Sequence, residues 1–141
     1  MTDRELMTAV QEAGAFRTRK EAEQAAAAVL AELGASLSWG EAQQLAARLP
    51  GRFGRLVREQ SFTTSMGRFT PAVLVARIAE REGVDADRAR HDLAAVLAAL
   101  ARLLPSGLGE RLRAEVPAAF EVRAEARVHR GVSPAAPSPA R

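Results

Sequence analysis

The chain repeats itself, and that constrains the fold more than any other feature. Displaced by 67 positions, Val29-Leu30 falls on Val96-Leu97, Leu33 on Leu100, Leu37 on Leu104, Gly40 on Gly107 and Leu45 on Leu112. The same displacement places Leu49 on Val116, Pro50 on Pro117 and Phe53 on Phe120. Earlier in each half the offset is 68, which sets Leu6 on Leu74, Val10 on Ile78 and Phe16 on Val84. One extra residue near Arg17 accounts for the change. Large apolar residues, prolines and a glycine therefore recur in one order, so each half must make the same series of elements.

Those elements are helices. Leu6, Val10 and Ala13 lie on one face of a helix starting near Asp3. Thr18-Arg-Lys-Glu21 and Ser38-Trp-Gly-Glu41 have the spacing of capping boxes, in which a hydroxyl and a carboxylate satisfy free backbone N–H groups. The first opens a long helix with Ala22, Ala26, Val29, Leu30, Leu33 and Leu37 on one side. The second opens a helix ending near Leu49-Pro50, and a short helix follows from about 51 to 59. The second half starts at Thr70-Pro71, an N-cap with proline at the first helical position. Its first helix ends at Gly83, suited to a left-handed C-terminal cap, and Asp85 caps a long helix carrying Ala89, Leu93, Val96, Leu97, Leu100 and Leu104. Helices over 107–115 and 117–127 complete the second set. No segment alternates like a strand. The expectation is an all-α fold without β-sheet: one eight-helix domain of two tandem four-helix repeats related by a pseudo-twofold axis.

The expected boundaries are repeat one over about 3–59, a connector over 60–69 pinned by Phe62 and Phe69, and repeat two over about 70–127, within one domain spanning 1–130. Alanine allows helix backbones to approach closely at little entropic cost. Pairs such as Ala22–Ala26 and Ala95–Ala99 therefore predict that the two long helices pack together in a joint core. Residues 131–141 contain three prolines and little apolar bulk, which predicts a disordered tail.

This arrangement resembles the bacterial family named domain of unknown function 2267. The resemblance rests on Arg-Lys-Glu-Ala-Glu-Gln-Ala-Ala-Ala-Ala-Val-Leu (19–30), Gly-Glu-Ala-Gln-Gln-Leu-Ala-Ala-Arg-Leu-Pro (40–50), Phe69 through Gly83 with Val84-Asp85, and Asp87 through Leu97. It covers about residues 3–125. These motifs describe helix packing and caps, so they speak to fold more than to a site. The resemblance implies an eight-helix, cytoplasmic bacterial protein and brings no agreed activity or catalytic residues.

Several chemistries find no support in the residues. Without cysteine there is no disulfide, zinc-thiolate site or cysteine nucleophile. The N-terminus shows no signal peptide, and the longest apolar runs are far short of a bilayer span, so a cytoplasmic location is expected. His91 aligns with Gln24 of the first half and reads as solvent-facing, and His129 lies at the edge of the tail. Trp39 beside its N-cap reads as a packing residue. Gly51-Arg-Phe-Gly54 reads as a turn between helices, and Ser106-Gly-Leu-Gly109 lacks the strand and lysine of a phosphate loop. Carboxylates and arginines at i,i+4 spacing, including Arg55–Glu59 and the face carrying Arg77 and Arg81, read as solvated helix surface. We expect no catalytic residue, cofactor or metal.

Charge placement is more informative. Although the net charge is only +3, Arg48, Arg52, Arg55, Arg58 and Arg68 face a single acid, Glu59, within 48–68, and the 126–141 tail is also basic. Arg52, Arg55 and Arg58 recur every three residues behind inward-facing Phe53, Leu56 and Val57. That stripe is either merely solvated or a contact for phosphate, an acidic protein or an acidic membrane surface. Exposed aromatic residues do not interleave with it, so single-strand stacking lacks a platform. The sequence thus suggests a non-enzymatic helical interaction or scaffold module that binds a protein partner or self-associates through alanine-rich or apolar faces. Its alternative is weak binding of nucleic acid or another acidic partner through Arg48, Arg52, Arg55, Arg58 and Arg68.

Overall fold

A computed structural model describes residues 1–61, 70–105, 107, 108 and 112. Among them are six α-helices and no strand: α1 (Asp3–Gly14), α2 (Arg19–Ser36), α3 (Trp39–Arg48), α4 (Gly51–Gln60), α5 (Pro71–Glu82) and α6 (Ala86–Leu103). The connector containing Phe62, Arg68 and Phe69, the 117–127 helix, His129 and the tail lie outside the described residues. So does most of the 107–115 helix.

Local chemistry sets the helix starts. Thr18 and Ser38 accept from the N–H groups of Glu21 and Glu41, whose carboxylates accept from the cap N–H in return. A third capping box, Thr2–Glu5, opens α1 and was not expected from the sequence. Thr70 caps α5 with Pro71 at its first position, and Asp85 caps α6. The offsets found in the sequence carry each helix onto its counterpart: α1 displaced by 68 coincides with α5, and α2 displaced by 67 coincides with α6. At the C-terminal caps of α1 and α5, both left-handed, Ala15 (φ 51°) stands where the second half has Gly83 (φ 73°). Only glycine meets that conformation without a Cβ penalty.

Helix α2 lies at the centre, with twelve of its 18 residues buried, and packs against α1, α4, α5 and α6. Small side chains make this possible, because Ala22, Ala25, Ala26, Ala28, Ala31 and Ala35 all lie inside. The long helices α2 and α6 touch, α1 packs on α6, and α5 packs on α2. Leu6, Leu30, Leu33, Leu74, Ile78, Leu93 and Leu100 belong to one continuous apolar cluster drawn from both halves. Two glycines set helix spacing: a Cβ on Gly34 would lie 2.6 Å from the Val57 carbonyl oxygen, and one on Gly54 would lie 2.7 Å from that of Ala46. Gly54 therefore sits within α4 as a packing contact with α3, whereas the sequence assigned it to a turn. No helix among the described residues is long and apolar enough to cross a membrane.

Candidate functional site

The arginine stripe divides into one engaged and three outward residues. Helix α4 buries Phe53, Gly54 and Val57, which turns Arg52, Arg55 and Arg58 outward, and Arg48 is exposed on the last turn of α3. Arg52 donates through Nε and Nη2 to the two oxygens of Asp3 (2.5 and 2.8 Å) and through Nη1 to Glu23 (3.1 Å). Its guanidinium also lies 4.5 Å from the centre of the Phe53 ring. The hydrogen bonds from Arg52 hold the Asp3 carboxyl below its ordinary range, and those to Asp3 push the Arg52 guanidinium up. Arg52 thus fastens α4 to α1 and α2 and is not a free member of the stripe. Arg48, Arg55 and Arg58 are exposed and form no ion pair among the described residues. The anticipated Arg55–Glu59 pair is likewise not formed there. Arg68 lies outside the described residues.

A second polar cluster, missed from the sequence, occupies the other side of α2. Glu32 is buried, 2% exposed, and accepts from Arg77 Nε and Arg81 Nε of α5, each at 2.7 Å. Arg77 and Arg81 are exposed as expected, yet they do more than form a solvated face: the two arginines close over a buried charge. A buried carboxylate needs such donors, because an unpaired one would cost several kcal/mol.

Two turns into α6, Asp92 is completely buried and accepts from Arg88 Nε at 3.0 Å through Oδ1. Its Oδ2 and the Oε2 of Glu82, the last residue of α5, are buried without a donor. Burial, with the hydrogen bond and the charge of Asp92, raises the Glu82 carboxyl to about 8. Helices α2 and α4 and the α5–α6 corner enclose a cleft of about 540 Å³, with Ala27, Leu56 and Val84 as apolar wall and Glu21, Glu82 and Arg88 as polar wall. A smaller cleft of about 450 Å³ beside Phe16 and His91 shares Glu21 and Arg88 with it.

Two further readings change. His91 is exposed as expected, yet its Nε2 lies 2.7 Å from the Gly14 carbonyl and its ring meets Phe16 edge-on at 5.6 Å. It completes the C-terminus of α1. Trp39, read as a packing residue, is 61% exposed. Among the described residues no group of three or more histidines, cysteines or carboxylates is placed to hold a metal ion.

An all-helical protein built around a central alanine-rich helix, with arginines either clamping buried acids or left outward, is the class these observations define. The chain belongs to the uncharacterized conserved protein family DUF2267, which it matches over residues 3–122. No curated protein and no solved structure shows a significant match to it.

Proposed function

We propose that the protein is a non-enzymatic helical interaction module that docks an acidic surface of a partner protein through Arg48, Arg55 and Arg58. One observation carries this reading. Among the described residues Arg19, Arg52, Arg77, Arg81, Arg88, Arg90 and Arg102 each find a carboxylate within the fold, whereas Arg4, Arg17, Arg48, Arg55 and Arg58 find none, and three of these five stand on the outer face of α3 and α4. A guanidinium without an internal partner keeps its full set of donors for an external carboxylate or phosphate. The alanine-rich faces, the other route to association, are turned inward and hold the core.

The same reading takes the fold to be an eight-helix duplication in a cytoplasmic protein. The coincidence of α1 with α5 and of α2 with α6, together with the exchanged packing of α1 on α6 and α5 on α2, supports a pseudo-twofold arrangement.

Affinity capture from native cell extract, with and without nuclease, tests the docking face by comparing the wild type with R48E/R55E/R58E. The wild type should retain a protein partner after nuclease, and charge reversal should reduce its recovery by about tenfold or more. Capture that nuclease abolishes moves the patch to nucleic acid, for which each neutralised phosphate adds about −0.9 to the log–log salt slope. Equal capture by both proteins overturns the reading.

A further inference from the structure

We propose that the α5–α6 corner is a proton-operated latch: one proton held between Glu82 and Asp92 keeps the corner closed beside α2, and its loss frees the corner about Gly83. A fully buried carboxyl group, Asp92, and a half-buried one, Glu82, come together there. Arg88 of α6 gives its Nε to Asp92 Oδ1, and Arg81, on the same helix as Glu82, gives its Nε to Glu32 of α2. Helix α2 adds Glu21, a further negative charge, and the neutral amide of Gln24 to the cleft wall, and α4 adds only Leu56. Among the described residues Glu82 Oε2 and Asp92 Oδ2 are buried without a hydrogen-bond partner, and a proton is the simplest group that can join them. Once it leaves, two like charges lie side by side, Asp92 fully buried and Glu82 half-buried at the cleft wall, which is unfavourable.

The fold confines the response. Arg77 and Arg81 tie the body of α5 to Glu32 on α2, and that clamp does not involve the shared proton. Beyond it, α5 ends at Glu82 and only Gly83, Val84 and Asp85 connect it to α6, with Gly83 in the left-handed conformation at φ 73°. Release therefore moves the segment that forms one wall of the 540 Å³ cleft while α2 stays in place. The direction follows from linkage. The folded protein holds the Glu82 proton more tightly than the unfolded chain, so the contribution is complete below the ordinary value of 4.5 and is lost as pH rises through about 8.

The experiment uses the full chain, wild type and Glu82→Gln, with amide hydrogen exchange at about pH 6 and about pH 10, corrected for intrinsic rates. In the wild type, amides across 82–92 should lose about tenfold or more protection at the higher pH relative to those of α2, while Glu82→Gln, which keeps a neutral donor toward Asp92, should stay closed at both. The side-chain carboxyl carbon of Glu82 should titrate near 8 by NMR. Titration in the ordinary carboxylate range, or loss of protection spread equally over α2, overturns the proposal. Should Glu82→Gln fail to fold, Asp92→Asn serves: it removes the neighbouring charge, so Glu82 should titrate lower and the pH-dependent opening should vanish. Opening that persists in Asp92→Asn also overturns it.

Discussion

Helices α4 and α5 both carry arginines at helical spacing, and the structure gives them opposite fates. On α5, Arg77 and Arg81 converge on Glu32, which α2 places in the core. On α4, Arg52 reaches Asp3 and Glu23 at the protein surface, and Arg55 and Arg58 remain in solvent. The difference lies in the facing helix. Toward α5, α2 presents a carboxylate, whereas toward α4 it presents Gly34 in backbone contact with Val57. An arginine row therefore carries no functional message until its opposing residues are known, and the message belongs to the arginines left over.

The α5 side offers the largest test. Replacing both arginines, R77M/R81M, strands the Glu32 charge in the core and should cost about 3–5 kcal/mol in chemical denaturation. Adding Glu32→Leu should recover most of that loss, because an apolar side chain needs no counter-charge. A double variant within about 0.5 kcal/mol of wild type would show that the clamp is no more than a surface ion pair.

Part of this contrast was legible in the sequence and part was not. Caps are local: Thr18–Glu21, Ser38–Glu41, Thr70-Pro71 and Gly83 act within three or four residues, so their chemistry can be read directly. The repeat extends that reach, since matching apolar positions in two halves identifies the core faces of both. Glu32 escaped because its donors come from another helix, Arg77 and Arg81 lying 45 and 49 residues beyond it, and Asp92 escaped because its i,i+4 pairing with Arg88 looks like any surface pair until its burial is known. The repeat did hold the signal. Glu32 aligns with Ala99, and Asp92 aligns with Ala25, both fully buried. A charge in one half where the other has a core alanine marks a buried charge. The candidate patch was legible as a charge cluster, but the commitment of Arg52 to Asp3, 49 residues away, was not. Trp39 failed for a related reason: an aromatic beside an N-cap can lie on either side of the helix start, and nothing local selects one.

Arg52 tests the intermediate case. Its partners are partly exposed, so solvent screens them and Arg52→Met should cost only about 0.5–1 kcal/mol, less at high salt. The pH dependence separates this pair from a packing effect. Because Asp3 is held below its ordinary value of 3.8, its contribution is present above that value and lost as pH falls through the lowered one. In Arg52→Met this acid-side loss should shrink without vanishing, because Arg19 still donates to Asp3 at 3.2 Å.

The smallest expected change decides whether the remaining arginines are available. R48E/R55E/R58E reverses three exposed charges that pair with nothing among the described residues, so its stability should stay within about 0.5 kcal/mol of wild type. Arg55 and Arg58 lie one turn apart and repel weakly, and any strain relieved by reversing them is offset by new repulsion against Glu59. Near-zero cost would mean that the fold does not need these charges, so that any loss of capture by the same variant reports on the docking face and not on unfolding. A cost approaching that of Arg52→Met would mean that the stripe is tied into the fold as Arg52 is, and the distinction between α4 and α5 would become one of degree.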